Sequence, residues 1–365
     1  MSVLVIVLVL AGMNLLFDLI LHFFALKGLQ CARRFSVPAA HEGETVEVIE
    51  VVRNDRPLLI PWLRLESRIS PHLRFGRQDN LGVSGEMYHR SLFMLMPYQQ
   101  ITRRHKVLLA HRGAYDIGNA TLTAGDLLGL SCVGQEKRMS VPILVYPRLL
   151  SPEEMPAPFY RLLGESIVPR QLLQDPFLVN GIRPYQLRDN VRDIHWAATA
   201  RTGELQVRTH DFTAQTRLMV VINGQLSHHQ WGNLMEYEHG PVEYAISVAA
   251  TLCLDALRQG LPCGVAANMP MGDSGLCTVL PPDAGAAREE ELLAALARLR
   301  VKFIKSFHEF LDELLTLSGV DFLILSAYES EEMAARMEML RMRGNTVHLV
   351  RLAGEEADAD APKAV

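Results

Sequence analysis

The chain has 365 residues, 49% of them apolar, and a formal net charge of −5 at pH 7. That length holds two or three domains, and the acidic balance argues against broad nucleic-acid or anionic-surface binding while leaving room for local basic patches. Cys31, Cys132, Cys253, Cys263 and Cys277 are odd in number, scattered and without a C-x-x-C pair. This excludes a disulfide framework or zinc ribbon, fits a reduced compartment, and makes most of them small core hydrophobes.

Residues 2 to 26 carry Asp18 as their only acidic group and neither Lys nor Arg. As a helix they span about 37 Å, enough to cross a bilayer with some tilt. A cleaved signal peptide would need a basic start, a shorter apolar core and a small-x-small cleavage site. The segment 1–30 is therefore read as a retained transmembrane anchor. Lys27, Arg33 and Arg34 follow it, so the positive-inside rule puts the remainder in the cytoplasm, with the anchor in the inner membrane as a single pass. Asn14, Asp18 and His22 share one helix face, as an assembly face or as groups snorkelling to an interface.

Residues 31 to 147 alternate apolar and polar positions in short runs broken by Gly, Pro, Asn and Asp, the pattern of a small β-sandwich. His72, His89, His105 and His111 are spread along it without metal-ligand spacing, which predicts surface or satisfied histidines. Residues 148 to 215 begin Pro-rich and read as a connector, with 164–170 mobile. The connector ends in a charged stretch, where Arg183, Arg188, Arg192, Arg201 and Arg208 alternate with Asp189, Asp193, Glu204 and Asp211 around a Trp196 expected to be buried. Forked guanidiniums beside carboxylates imply a paired network. It serves as a structural lock between domains or as an anion or partner site.

From residue 216 to 353 strands alternate with amphipathic helices: strands at 217–222, 263–268, 276–280, 321–326 and 346–351, helices near 241–259, 286–300, 302–317 and 330–343. This is an α/β unit with a largely parallel sheet covered on both faces. The Ala/Asp/Glu tail 354–365 has too little apolar content to fold.

Tyr185, Asp189, Arg192, Ile194, Trp196, Ala200 and Arg201 resemble the signature of the bacterial domain-of-unknown-function-58 family: Tyr, Pro-Gly-Asp, Arg-x-Ile-x-Trp, Ala-Arg. Leu187 and Arg188 stand where that family has Pro and Gly. Further matches are Arg112 to Gly118, Asp126 to Leu130, and Val145-Tyr146-Pro147, so the resemblance covers roughly residues 105 to 265. It implies a membrane-anchored protein whose α/β unit is similar to a von Willebrand factor A-like domain. It also implies partners: a MoxR-type AAA+ ATPase and a transglutaminase-like membrane protein.

A metal-binding A-type domain carries D-x-S-x-S after its first strand and an Asp at the end of a later one. Here Asn223, Gln225 and Ser227 occupy the first positions and Ser326 with Ala327 the second. Without carboxylates a hard cation is poorly served, so no metal and no cofactor are expected. His228, His229, Glu236, Glu238 and His239 in the same loop could be imagined as a zinc site, but adjacent histidines point apart and the loop reads as solvated. Neither a G-x-S-x-G elbow nor a phosphate loop is present. The sequence thus predicts a membrane-tethered scaffold without catalysis of its own, docking protein partners through the carboxyl end of the sheet. Trp231, Tyr237, Met235, His228, Met269 and Met271 would supply the contact surface, unless Trp231 folds back and the loops merely close the domain. The alternative is a metal-dependent or hydrolytic enzyme using loop 223–240.

Overall fold

The computed structural model describes residues 5–7, 9, 12, 13, 16, 19, 26–76, 81–83, 88–125, 132–156, 173–186, 194–213, 217–230, 232–285 and 287–352. The chain divides into two compact units, Met1–Arg148 with Leu293–Arg298, and Leu149–Leu292 with Leu299–Val365. Asn14, Asp18, His22, the 164–170 segment and the tail 354–365 lie outside the described residues. So do Leu187 to Asp193 and Trp231.

In the first unit the described positions between 5 and 19 are helical. Val5, Ile6, Val7, Val9, Met13, Leu16 and Leu19 are all more than half exposed. At about 100° per residue they spread round more than half of the helix. Among the described positions, no amphipathic stripe marks one face of it as buried.

Period-two patterning then gives, among the described residues, twelve strands: β1 (Leu29–Phe35), β2 (Ala39–His41), β3 (Thr45–Asn54), β4 (Ile60–Arg68), β5 (Leu73–Phe75), β6 (Leu81–Val83), β7 (Tyr88–Leu95), β8 (Gln100–Leu109), β9 (Gly113–Asp116), β10 (Ala120–Gly125), β11 (Cys132–Lys137) and β12 (Pro142–Tyr146). They form sheets ordered β1-β3-β8-β5, β11-β10-β4-β7-β6 and β2-β12-β9. Strict alternation in β1 and β7 buries every second side chain. Cys31 and Val52 of the first sheet share one apolar cluster with Leu63, Leu65, Phe93 and Leu122 of the second. That is the core of a β-sandwich, as the sequence predicts. A second cluster holds Phe35, Val48, Leu73, Val107, Ile143 and Val145.

In the second unit the predicted connector is in part an ordered ribbon. β13 (Leu173–Pro184) pairs antiparallel with β14 (Gln206–Thr213), and α1 (Trp196–Thr202) lies between them in the chain. Its register is interrupted between Gln174 and Gly181, so no clean alternation marks the strand in the sequence. The α/β pattern follows the prediction closely: β15 (Leu218–Ile222), α2 (Gly240–Arg258), β16 (Cys263–Pro270), β17 (Cys277–Asp283), α3 (Arg288–Arg298), α4 (Phe307–Leu314), β18 (Asp321–Ser326), α5 (Glu331–Met342) and β19 (Thr346–Arg351). The sheet order is β17-β16-β15-β18-β19, with the first strand central and β17 antiparallel at one edge. β15 and β16 are buried along their whole length, as strands covered on both faces must be.

One cluster joins Met219, Val221, Phe322 and Ile324 to Phe307 and Phe310 of α4 and to Met333 and Met337 of α5. Helix α2 packs against β15, β16 and β18. It is 19 residues long and apolar enough to cross a membrane by composition, yet most of it is buried within the unit. It is a core helix. All five cysteines are free, with Cys31, Cys253 and Cys263 buried, Cys277 half-buried and Cys132 the exposed exception.

Gly264 in β16 fixes how closely the edge strand can approach. A Cβ there would collide with the backbone of Leu280, Pro281 and Pro282. Backbone cannot swing aside as a side chain can, so Gly264→Ala is expected to destabilise the unit by about 1–3 kcal/mol. The check is chemical denaturation, where an unchanged midpoint would show that the β17 edge yields freely.

Candidate functional site

The carboxyl end of the parallel sheet was the predicted site. Its centre is the turn after β15, where Asn223 and Gln225 are buried. Asn223 Nδ2 donates to Ser326 Oγ at 2.9 Å, and the Gln225 amide donates to Asn223 Oδ1 at 3.0 Å. The Gly224 amide donates to Asn268 Oδ1 at 2.7 Å, and the Phe307 amide donates to Gln225 Oε1 at 2.8 Å. Ser326 Oγ in turn donates to the Tyr328 carbonyl at 2.6 Å. The neutral side-chain amides of Asn223, Gln225 and Asn268 thus hold the turn by bonding to backbone N–H groups and to the Ser326 hydroxyl, with no carboxylate in this network. Ser227 is exposed and outside this network.

Above the network the rim is aromatic and imidazole-rich. His228 Nε2 lies 3.5 Å from Glu332 Oε2, and its ring is 4.7 Å from His229 and 6.2 Å from His308. Tyr328 packs 6.4 Å from the His228 ring, and burial pushes its hydroxyl pKa upward. Tyr237 is 83% exposed and Met235 62%, on and beside the 3-10 turn Glu236–Glu238. Met271 is partly exposed.

Met269, predicted to join this surface, is instead fully buried. A Cβ on Gly224 would meet its Cγ at 2.6 Å, so Met269 fills the space beneath the loop rather than offering itself to a partner.

The charged stretch also departs from expectation. Trp196 is 66% exposed at the start of α1, not buried. Among the described signature residues, Ile194, bridged to Val207, is the buried one. The Tyr185 amide donates to the Leu205 carbonyl at 2.8 Å. Arg201 is exposed in the last turn of α1, and the expected pairing with Asp189 and Arg192 falls outside the described residues.

The site that sequence reasoning missed lies in the β-sandwich. The Glu50 carboxylate on β3 is fully buried and accepts from Arg33 Nε at 2.9 Å and Nη2 at 2.6 Å on one oxygen. On the other it accepts from Ser91 Oγ at 2.8 Å and faces His105 Nε2 at 3.1 Å. Arg33 Nη1 donates to Ser67 Oγ at 2.8 Å. His89, only 1% exposed, stands 3.7 Å from Glu50 with its ring 4.5 Å from Phe75 and 5.0 Å from His105. Neither of its ring nitrogens has a hydrogen-bond partner.

Glu50, His89 and His105 have the spacing of a metal-ligand group. Arg33 decides against that use, because it already neutralises the carboxylate and a divalent ion would have to displace it. Of the expected surface or satisfied histidines, His105 is of the satisfied kind, buried against Glu50, while His89 departs from both expectations, being buried without a hydrogen-bond partner. Period two carried the signal. His89 and Ser91 share the inward face of β7 with Phe93 and Leu95, and His105 shares that of β8 with Val107 and Leu109.

Burial pushes the Glu50 carboxyl up, but the His105 hydrogen bond and the charges of Arg33 and both histidines outweigh it and hold it at about 2. Burial is also the main reason that His89 falls to about 4, against the pull of Glu50. Both folded pKa values lie below the ordinary ones of 4.5 and 6.5. Stability from His89 is therefore complete above 6.5 and lost as pH falls toward 4, and that from Glu50 is lost between 4.5 and 2. Melting temperature should decline on acidification from pH 6.5 onward, and His89→Phe should remove the first part of that decline. A flat profile down to pH 4.5 would contradict the buried neutral imidazole. Glu50→Gln, which strands Arg33, should cost about 3–5 kcal/mol, and adding Arg33→Met should recover much of it.

No curated protein matches the chain. Among solved structures it is similar to a PapD-like domain of human CEP192, at 14% identity over 32% of this chain and 84% of that one, with a TM-score of 0.24. It is also similar to a non-cellulosomal cohesin from the archaeon Archaeoglobus fulgidus, at 10% identity over 34% and 94%, TM-score 0.23. A third is the CARDB domain of a Pyrococcus furiosus protein, at 11% identity over 33% and 96%, TM-score 0.22. The family described as "Protein of unknown function DUF58" matches residues 181–363, half of the chain, including Ile194, Trp196 and Arg201 and all of the parallel sheet. The chain belongs to the DUF58 family.

Proposed function

We propose that the chain is a membrane-tethered cytoplasmic scaffold whose second unit, read as a von Willebrand factor A-like domain, docks a protein partner at the carboxyl end of its sheet. The observation that carries this is the exposure of Tyr237 and Met235 on that rim. Large apolar side chains held out beside a closed, neutral turn suit a contact surface. The A-like reading draws support from the central first strand, the antiparallel edge strand, and the Asn223, Gln225 and Ser326 network in the place of the metal loop. The anchor reading draws support from the exposed apolar residues at the described helical positions between 5 and 19. Family resemblance suggests a MoxR-type AAA+ ATPase and a transglutaminase-like membrane protein as partners.

A competing reading, a metal-dependent or hydrolytic enzyme in loop 223–240, rests on the approach of His228 to Glu332, His229 and His308. Titration with Zn²⁺ followed by calorimetry separates the two. Stoichiometric micromolar binding abolished by His228→Ala would favour the enzyme.

Tyr237→Ala with Met235→Ala should weaken capture of a purified MoxR-type ATPase at least tenfold, as loss of an interface anchor does. Melting should stay within about 0.5 kcal/mol of wild type, since both residues are exposed. Undiminished capture would remove this rim from the function. Trp196→Ala should likewise leave melting nearly unchanged, and a loss of about 3 kcal/mol would return Trp196 to the core.

A further inference from the structure

One edge of the β-sandwich is open. β1 ends the sheet order β1-β3-β8-β5, so among the described residues it is paired on one side only. The Ser36 amide donates to the Glu47 carbonyl at 2.8 Å, which sets the phase of the β1–β3 ladder. Bonding alternates along an antiparallel pair, so Arg34 and Ala32 also bond toward β3. Phe35, Arg33 and Cys31 therefore turn their N–H and C=O groups to the open side.

Edge strands are usually blunted by shortness, a bulge, a proline or an inward charge. β1 has seven residues and no proline, and its register with β3 runs without a shift. Its one inward charge, Arg33, is already answered by Glu50. The strand is a regular template with nothing in it that prevents further pairing.

Two cavities of about 340 Å³ each lie along this edge. One reaches from Gln30 and Ala32 over the edge to Lys137, and the other lies between Arg34 and Ser140. The track stops at Pro38 and Pro142, where the chain passes into the β2–β12 pair. It is also basic. Arg34 and Arg138 are exposed and Lys137 is half-buried, and none of the three has a hydrogen bond or ion pair with a described residue. Carboxylates on the surrounding strands are engaged elsewhere. Glu47 lies 3.5 Å from Arg104, Asp116 accepts from Ser140 Oγ at 2.9 Å, and Glu136 accepts from Asn119 Nδ2 at 2.8 Å.

We propose that β1 accepts an extended acidic segment of a partner protein as an added strand. The segment bonds through its backbone to Cys31, Arg33 and Phe35, as strand addition at a sheet edge does. A side chain directly opposite Arg34 falls on the same face as Arg34, so carboxylates belong on that face. The alternate side chains point inward toward Phe35 and Val141, where small apolar groups fit. Nothing in this inference depends on the Tyr237 rim of the second unit.

The probe is a short fluorescein-labelled peptide of alternating Val and Glu, titrated into the full chain in non-ionic detergent. By anisotropy it should bind saturably and about tenfold tighter than its Val and Lys counterpart. Arg34→Gln with Lys137→Gln should erase that preference. Arg138→Gln, at an exposed position, should weaken binding about threefold and guards against loss of fold in the double variant. On binding, hydrogen exchange at the Cys31, Arg33 and Phe35 amides should slow about tenfold, while the Ala32 and Arg34 amides, already bonded to β3, change little. Failure of the Val and Glu peptide to saturate overturns the proposal. Saturable binding that leaves those three amides unprotected overturns it too, because charge attraction alone then explains the binding. Protection that rises with chain concentration before peptide is added would give the edge to a second copy, with the same result.

Discussion

The Arg33–Glu50 pair is the constraint on which the β-sandwich depends. Two full charges from adjacent strands are removed from water, and desolvation of each costs several kcal/mol before any attraction is counted. The cost is offset only because every acceptor site is met: two donors from Arg33, one from Ser91 and the imidazole of His105. Ser91 and Ser67 come from the opposite sheet, so satisfying the pair also fixes how the two sheets face each other. A one-residue slip of β3 would turn Glu50 outward and break all of these bonds together. Apolar residues of similar volume would hold the sheets as strongly. What the pair adds is a single allowed register.

The same layer divides the core. On β1, Cys31 belongs to one apolar cluster and Phe35 to the other, with Arg33 between; on β3 the sequence is Val52, Glu50, Val48. His89 is the weak member. It is buried, uncharged at neutral pH and without hydrogen-bond partners, so it contributes packing against Phe75 and little else while carrying a penalty in acid. In the second unit the polar turn after β15 solves the equivalent problem without charge, through Asn223, Gln225 and Asn268. Amides provide both donors and acceptors, so they satisfy backbone N–H groups and the Ser326 hydroxyl without a counter-ion.

What was legible follows from the same physics. LMVVI and the FLIL of DFLILS are unbroken apolar runs because a parallel strand is covered on both faces, and both strands appear where expected. The β13–β14 ribbon was not legible, since its register is irregular and Pro and Gly interrupt it. Trp196 misled because its size suggests a core, whereas the shorter Ile194 two residues earlier is the buried one. Met269 and Met271 differ in burial although the sequence presents them alike, because β16 ends between them at Pro270. Glu50, His89 and His105 are 16 to 55 positions apart and meet only through strand pairing, so period two could place the histidines on inward faces but no local motif could mark the three as a group.

The turn end of the sandwich shows how a buried constraint prepares an exposed surface. Asn54 uses its side chain to hold Leu58 and Met96 in place, and Leu95 and Phe93 just behind are fully buried against Val52 and Leu63. The exposed side chains of Met96 and Tyr98 are thus mounted on backbone already ordered by the fold. A surface that is ordered before contact loses less conformational entropy when it binds, which is the general advantage of preorganisation. An unconstrained apolar loop would instead fold back onto the nearest core. The strained backbone at Tyr98 is sustained by the hydrogen bond to Arg56 and by Asn54, so removing Asn54 would release the turn and its exposed face together.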